Sequence, residues 1–133
     1  MRVGVTGASG LLGGVICTSL TANGHHVRSL GRTPVEGDFV AVDLQDAAAV
    51  EAALQDVDIV VHAAGKTDTR LGDQTNVEMA TAVGQAAGAN DLALINLSSV
   101  AVYGHAAGRV VTESTPPRPA SDYGQSKFDA EAA

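Results

Sequence analysis

The chain has 133 residues, enough for one domain that buries roughly two-thirds of the surface its unfolded form exposes. Eight Lys and Arg stand against 15 Asp and Glu, a formal charge of −7, which argues against a nucleic-acid or membrane surface because those draw on clustered cations. The 45% hydrophobic share is almost entirely Ala, Val, Leu and Ile, with two Phe, two Tyr and no Trp, so the core is built from small and branched side chains.

In chain order, "RVGVT" (Arg2 to Thr6) reads as a first strand, followed by a helix whose Leu11, Leu12, Val15, Ile16 and Leu20 recur at helical spacing and which ends at Asn23-Gly24. "HVRSL" (His26 to Leu30) and "DFVAV" (Asp38 to Val42) read as strands two and three. Asp46 caps a short Ala-rich helix carrying Val50 and Leu54, and "DIVVH" (Asp58 to His62) is a fourth strand. A helix over about Asp73 to Ala87 leads to a fifth strand, "LALINL" (Leu92 to Leu97). Residues 100–120 read as a long loop, and a helix starts near Ser121.

Alternating strands and helices predict an α/β chain, a Rossmann-type doubly wound parallel sheet in the order 3-2-1-4-5. Its ligand crevice lies at the carboxyl edge between strands one and four. The only cysteine, Cys17, falls in the apolar helical pattern and is expected to be a buried thiol, with a reducing, cytoplasmic setting as the default. No apolar run approaches the roughly 20 residues of a membrane helix, no signal-peptide pattern opens the chain, and the histidines His25, His26, His62 and His105 lack metal-ligand spacing.

"VTGASGLLGG" places Gly7, Gly10 and Gly13 between the first strand and its helix. Glycines there permit the turn, the close approach of backbone to a pyrophosphate and close helix–strand packing, while N–H groups and the helix dipole attract the anion. At the end of the second strand, where an acid would bond the ribose 2′-hydroxyl of NAD, stand Gly31 and Arg32. Arg32 is either a solvated loop arginine or the partner of a 2′-phosphate, and the missing acid favours NADP over NAD. Asp43 either accepts from an adenine amine or serves as a turn acid, and "HAAG" (His62 to Gly65) offers small residues where a cofactor approaches. Tyr123 and Lys127, four apart on the last helix, share one face. Taken alone the pair reads as two exposed helical residues; combined with the glycine loop and Ser99 at the end of strand five it reads as a hydride-transfer site, in which the ammonium would lower the tyrosine's pKa from about 10 and Ser99 would polarise a substrate oxygen.

Taken together, "VTGASGLLG", "DL" at 43 and 44, "HAAG", "NV" at 76 and 77, "LSSVAVYG" and "TESTPPRPASDYGQSKFDAE" resemble the extended short-chain dehydrogenases/reductases, the NAD-dependent epimerase/dehydratases, along essentially the whole chain. The resemblance implies that Gly7, Gly10 and Gly13, with Ser9, Leu11 and Leu12 of the same loop, hold the pyrophosphate, Asp43 and Leu44 the adenine, and Ala63, Ala64 and Gly65 the middle of the cofactor. It implies further that Ser99, rather than Ser98, is the catalytic serine and Tyr123 the general acid/base. Lys127 then tunes the tyrosine and binds the nicotinamide ribose, and Asn76 organises the region of strands four and five. Three features depart from the family: Gly31-Arg32 in place of the acid, a short stretch between "HAAG" and Asn76, and about half the usual length. The expectation is an incomplete NAD(P)-binding domain over residues 1–133 without the substrate domain, from an NADPH-linked ketone or aldehyde reductase. Its alternatives are a nucleotide-sugar epimerase/dehydratase and a dinucleotide-binding module inactive in this form. The substrate is a carbonyl compound or a sugar nucleotide, and a homodimer through the helices bearing Asn76 and Tyr123 is possible in such a family.

Overall fold

Val3 and Val5 of the first strand are the axis of the sheet, 2% and 0% exposed. The computed structural model describes residues 1–105, 108 and 110–133. Strands β1 (Arg2–Thr6), β2 (His26–Gly31), β3 (Asp38–Ala41), β4 (Ile59–His62) and β5 (Ala93–Asn96) form one parallel sheet in the order β3-β2-β1-β4-β5. Both the class and the strand order match the expectation. The strands are β-branched-rich and apolar on both faces, as a sheet covered on both sides requires.

Alternation divides the strand residues between two layers. On one face Leu30 and Val60 pack with Val50, Ala53 and Leu54 of α2 (Ala47–Ala53) and its C-cap, and with Val83, Ala86 and Ala87 of α3 (Thr75–Ala89). Gly4 lets this layer close: a Cβ there would stand 2.9 Å from Leu54 Cδ2. On the other face Val3, Val5 and Val61 pack against Ile16, Cys17 and Leu20 of α1 (Leu11–Ala22). Helix α4 (Asp122–Glu131) joins the α3 side, next to a 3-10 helix at Val100–Tyr103.

Helix ends follow the local chemistry. The Asp46 carboxylate accepts the Ala49 N–H at 3.1 Å, as the capping reading required. Asn23 caps α1, and Gly24 follows at φ +79°, the left-handed conformation expected there. Several boundaries move by one or two residues: β2 extends to Gly31, β3 ends at Ala41, and β4 and β5 lose their outermost predicted residues. Helix α3 begins at Thr75, not Asp73, because the Asp73 carboxylate turns the chain by accepting the Thr75 N–H at 3.0 Å. The loop over 100–120 contains the 3-10 turn, and its Ala106, Ala107 and Arg109 lie outside the described residues.

One expectation about α1 is corrected, and one exposure pattern stands beside it. Cys17 is half-buried rather than enclosed, its Sγ 4.0 Å from Ser29 Oγ. Of the apolar series on this helix, Leu11, Leu12 and Val15 are 86%, 62% and 61% exposed, so only Ile16 and Leu20 reach the sheet. The physical reason is common to both. Helix α1 is the only described helix on its side, and Ile95, which shares that face with Val61 at the β5 edge, is itself 51% exposed.

Candidate dinucleotide site and the adjoining serine, tyrosine and lysine

Thr6 ends β1, and the chain turns at Gly7 with φ +73°. A Cβ on Gly7 would stand 2.6 Å from the Ala64 nitrogen, so the loops after β1 and β4 touch through backbone alone. Gly13, buried in the first turn of α1, faces the Gly7 carbonyl so closely that no Cβ fits between them. Gly10 is the N-cap of α1, donates its N–H to the Gly7 oxygen at 2.9 Å, and brings no side-chain cap to the helix. The result is an uncapped helix N-terminus opening on a backbone cradle, the arrangement that accepts an anion.

That cradle is one wall of a cavity of about 630 Å³. Its other walls come from Leu30 to Thr33 at the end of β2, Phe39 of β3, Asp43 to Gln45 after β3, Ala63 to Lys66 after β4, and Thr75 and Met79 of α3. Gly7, Ser9, Gly10, Arg32, Asp43, Leu44, Ala63, Ala64 and Gly65 therefore converge on one crevice at the carboxyl edge, between β1 and β4 where the strand order reverses. Leu11, Leu12 and Gly13 stand outside the lining and meet the site as the first turn of α1. Asp43 lines the cavity and also serves as a turn acid, its Oδ1 accepting the Gln45 N–H at 3.1 Å. Exposed Arg32 and half-buried Lys66 are the cations of the lining, the latter 2.6 Å from Asp73, which holds that carboxyl well below its usual range.

Ser99, Tyr123 and Lys127 occupy the next position along the same edge, beyond the cavity lining. Ser99 caps the 3-10 helix, its Oγ accepting the Ala101 N–H at 3.2 Å, which leaves its hydroxyl proton to give. Ser98 is engaged elsewhere, bonded to Glu131 at the far end of α4. Ser121 caps α4 by accepting the Gly124 N–H at 3.0 Å. Gly124 then permits contact with the 3-10 helix, since a Cβ there would stand 2.5 Å from the Ala101 oxygen. One turn separates Tyr123, half-buried, from Lys127, only 6% exposed. Burial pushes the Lys127 ammonium below its ordinary pKa, with Glu131 opposing. A Cβ on Gly65 would lie 3.9 Å from Lys127 Nζ, so the lysine reaches the rim of the cavity.

Asn76, 2% exposed, fastens these two halves together. Its Oδ1 accepts the Lys66 N–H at 2.7 Å, and its Nδ2 donates to the Lys66 oxygen at 2.9 Å and to Ser126 Oγ at 3.0 Å. Ser126 in turn donates to the Tyr123 carbonyl at 2.9 Å. Asn76 thus ties the loop after β4 to α4; its direct bonds do not reach β5, where the resemblance had also placed its influence. Sequence reasoning missed Ser126, Lys66, Thr33, Phe39 and Met79. Ser126 carried one available signal, a polar residue on the inward face of α4 between Tyr123 and Lys127.

The doubly wound sheet, the glycine cradle at its switch point and the serine, tyrosine and lysine beside it define a short-chain dehydrogenase/reductase fold. The chain belongs to the NAD dependent epimerase/dehydratase family, whose profile matches residues 3–133. It is 37% identical over 147 residues to the dTDP-6-deoxy-L-talose 4-dehydrogenase (NAD(P)(+)) of Kitasatospora kifunensis, covering 99% of this chain and 46% of that protein. Among solved structures, an Agrobacterium tumefaciens short-chain dehydrogenase/reductase superfamily protein with bound NAD superposes with a TM-score of 0.87 at 28% identity, over 99% of this chain and 43% of the other. The Bordetella bronchiseptica enzyme WbmG, in complex with NAD and UDP, gives 0.85 at 27%, over 99% and 48%. The chain therefore spans about half the length of these relatives.

Proposed function

We propose that this chain is the dinucleotide-binding part of an NAD(P)-dependent oxidoreductase that exchanges hydride with a carbonyl or carbinol carbon of a nucleotide-linked sugar. The observation that carries the reading is the cavity in which the Gly7–Gly10 cradle, Arg32, Asp43 and the Ala63–Gly65 turn meet. Glycine shapes this crevice from behind: a Cβ on Gly7 would strike the Ala64 backbone and one on Gly13 the Gly7 carbonyl, so both residues let the loops and the first turn of α1 close up into the cradle wall. The pyrophosphate would lie against the N-terminus of α1, the adenosine between Arg32 and Asp43, and the nicotinamide side toward Gly65 and Lys127.

A bound nicotinamide ring supplies hydride exchange, and the chain supplies the rest. Tyr123 gives or takes the proton at the substrate oxygen. The Lys127 ammonium, one turn away, favours the tyrosinate that this requires, and Ser99 donates its hydroxyl proton to the same oxygen. Arg32 supports NADPH in addition to NADH, because a guanidinium at the ribose end of the cavity pairs with a 2′-phosphate. The neighbours with NAD and the relative named for NAD(P)(+) support use of either coenzyme, and the dTDP-sugar and UDP in relatives' names support a nucleotide-sugar substrate over a simple ketone or aldehyde.

Calorimetric titration of the 133-residue protein with NADH and NADPH, and separately with UDP, tests the assignment. Micromolar binding of a dinucleotide with little for UDP is expected. Failure of both dinucleotides to bind contradicts it.

A further inference from the structure

One enclosed titratable side chain takes no part in the scheme above: His62, the last residue of β4, 2% exposed. The sheet register sets it between Thr6 of β1 and Asn96 of β5, both uncharged. Thr6 Oγ1 lies 2.7 Å from His62 Nδ1, and the same oxygen accepts the Ala64 N–H at 3.2 Å. Having accepted the amide proton, the hydroxyl still has its own proton to give. Donation to Nδ1 places that proton and fixes the ring as the Nε2–H tautomer. With the opposite tautomer two donors would converge on Oγ1, and the hydroxyl proton would lose this partner inside a side chain that is 0% exposed.

The charge state agrees with this geometry. Burial first, and then the Lys127 ammonium, push the imidazole down to about 4, so it is neutral at neutral pH. Lys127 of α4 is the charged group whose field acts on it, and Glu131 on the same helix acts on Lys127. The chain of contacts runs from His62 through Thr6 to Ala64, in the turn that Gly65 completes.

We propose that His62 is a positioning residue: by accepting the Thr6 hydroxyl proton it fixes the oxygen that holds the Ala64 N–H, and so locks the Ala63–Ala64–Gly65 turn at the wall of the cavity. Only the binding arm of the test rests on the proposed function.

Multiple-bond 1H–15N NMR of the wild-type chain should show the His62 ring as Nε2–H at pH 7, unchanged between about pH 5.5 and 8. An Nδ1–H ring, or a midpoint near the ordinary value of about 6.5, overturns the proposal. His62→Asn keeps an acceptor near the Nδ1 position, and His62→Leu removes it. With one buried hydrogen bond lost, the Leu variant should bind NADH about five-fold more weakly, and the Asn variant within about two-fold of wild type. The Ala64 amide, held by Thr6 Oγ1, should exchange slowly with solvent in wild type and the Asn variant and faster in the Leu variant. Equal binding together with equal Ala64 exchange in all three proteins overturns it. Should the Leu variant not fold, the wild-type tautomer and titration decide. Should wild type bind no dinucleotide, the proposed function fails while the tautomer and Ala64 exchange still judge His62.

Discussion

Gly13 faces the carbonyl oxygen of Gly7 with no room for a Cβ between them, so the first turn of α1 rests directly on the loop that leaves β1. Gly13→Ala must push helix and loop apart. It should destabilise the fold by about 1–3 kcal/mol, the range for overpacking a tight contact, and abolish dinucleotide binding. Gly84, inside α3 with nothing within 4 Å of a Cβ, is the internal control: Gly84→Ala should stabilise by about 0.5–1 kcal/mol. Urea unfolding of the two variants gives both values, and equal effects would show that the contact at Gly13 yields without strain.

The buried His62 gives stability a pH dependence of known sign. Its folded pKa, about 4, lies below the unfolded value of about 6.5, so the unfolded chain binds more protons between these limits and stability falls as pH falls. The contribution is fully present above about 6.5, and about 2 kcal/mol of it should be gone by pH 5. Asp73, also shifted downward, acts only below the ordinary carboxylate range. Urea unfolding at pH 7 and pH 5 checks this, and the His62→Asn variant should lose most of the difference.

On the proposed function, Lys127 is kept at the site at a cost in stability. Burial depresses its pKa, so the charged folded form is penalised at neutral pH. Lys127→Met should raise stability by about 1 kcal/mol while weakening cofactor binding. In the wild type, stability should rise with pH through the alkaline range below the ordinary lysine value, where the unfolded chain holds the extra proton. The Met variant should lose that rise, and thermal melts across the alkaline range distinguish the two.

On the proposed function, Arg32 should separate the coenzymes. Arg32→Ala should weaken NADPH binding at least about ten-fold, as loss of a charge-assisted bond to phosphate implies, and leave NADH within about two-fold. Parallel calorimetric titrations give the ratio, and equal losses would make Arg32 a solvated loop residue.

Strand order, the glycine loop and the grouping of Arg32, Asp43 and the Ala63–Gly65 turn were legible because each depends on local periodicity or on a residue type at a strand end. Ser99, Tyr123 and Lys127 were found by their order along the chain, and their spatial relation depends on Gly124 resting against Ala101, a contact between elements that spacing does not announce. Ser126 and the Thr6–His62 pair were missed as parts of the site for the same reason: each matters through a hydrogen bond across 50 or more residues. Exposure on α1 was misjudged at Cys17 because a helical stripe reports which residues are apolar, not what covers them.

Chemical-shift mapping of NADPH on the isotope-labelled 133-residue protein tests the central claim most directly. The amides of Gly7 to Gly13, Gly31 to Thr33 and Ala63 to Lys66 should shift together and saturably, with smaller changes at Tyr123 and Lys127. Saturable binding that leaves those three segments unmoved, or no binding by NADPH and NADH alike, would contradict a dinucleotide site at this crevice.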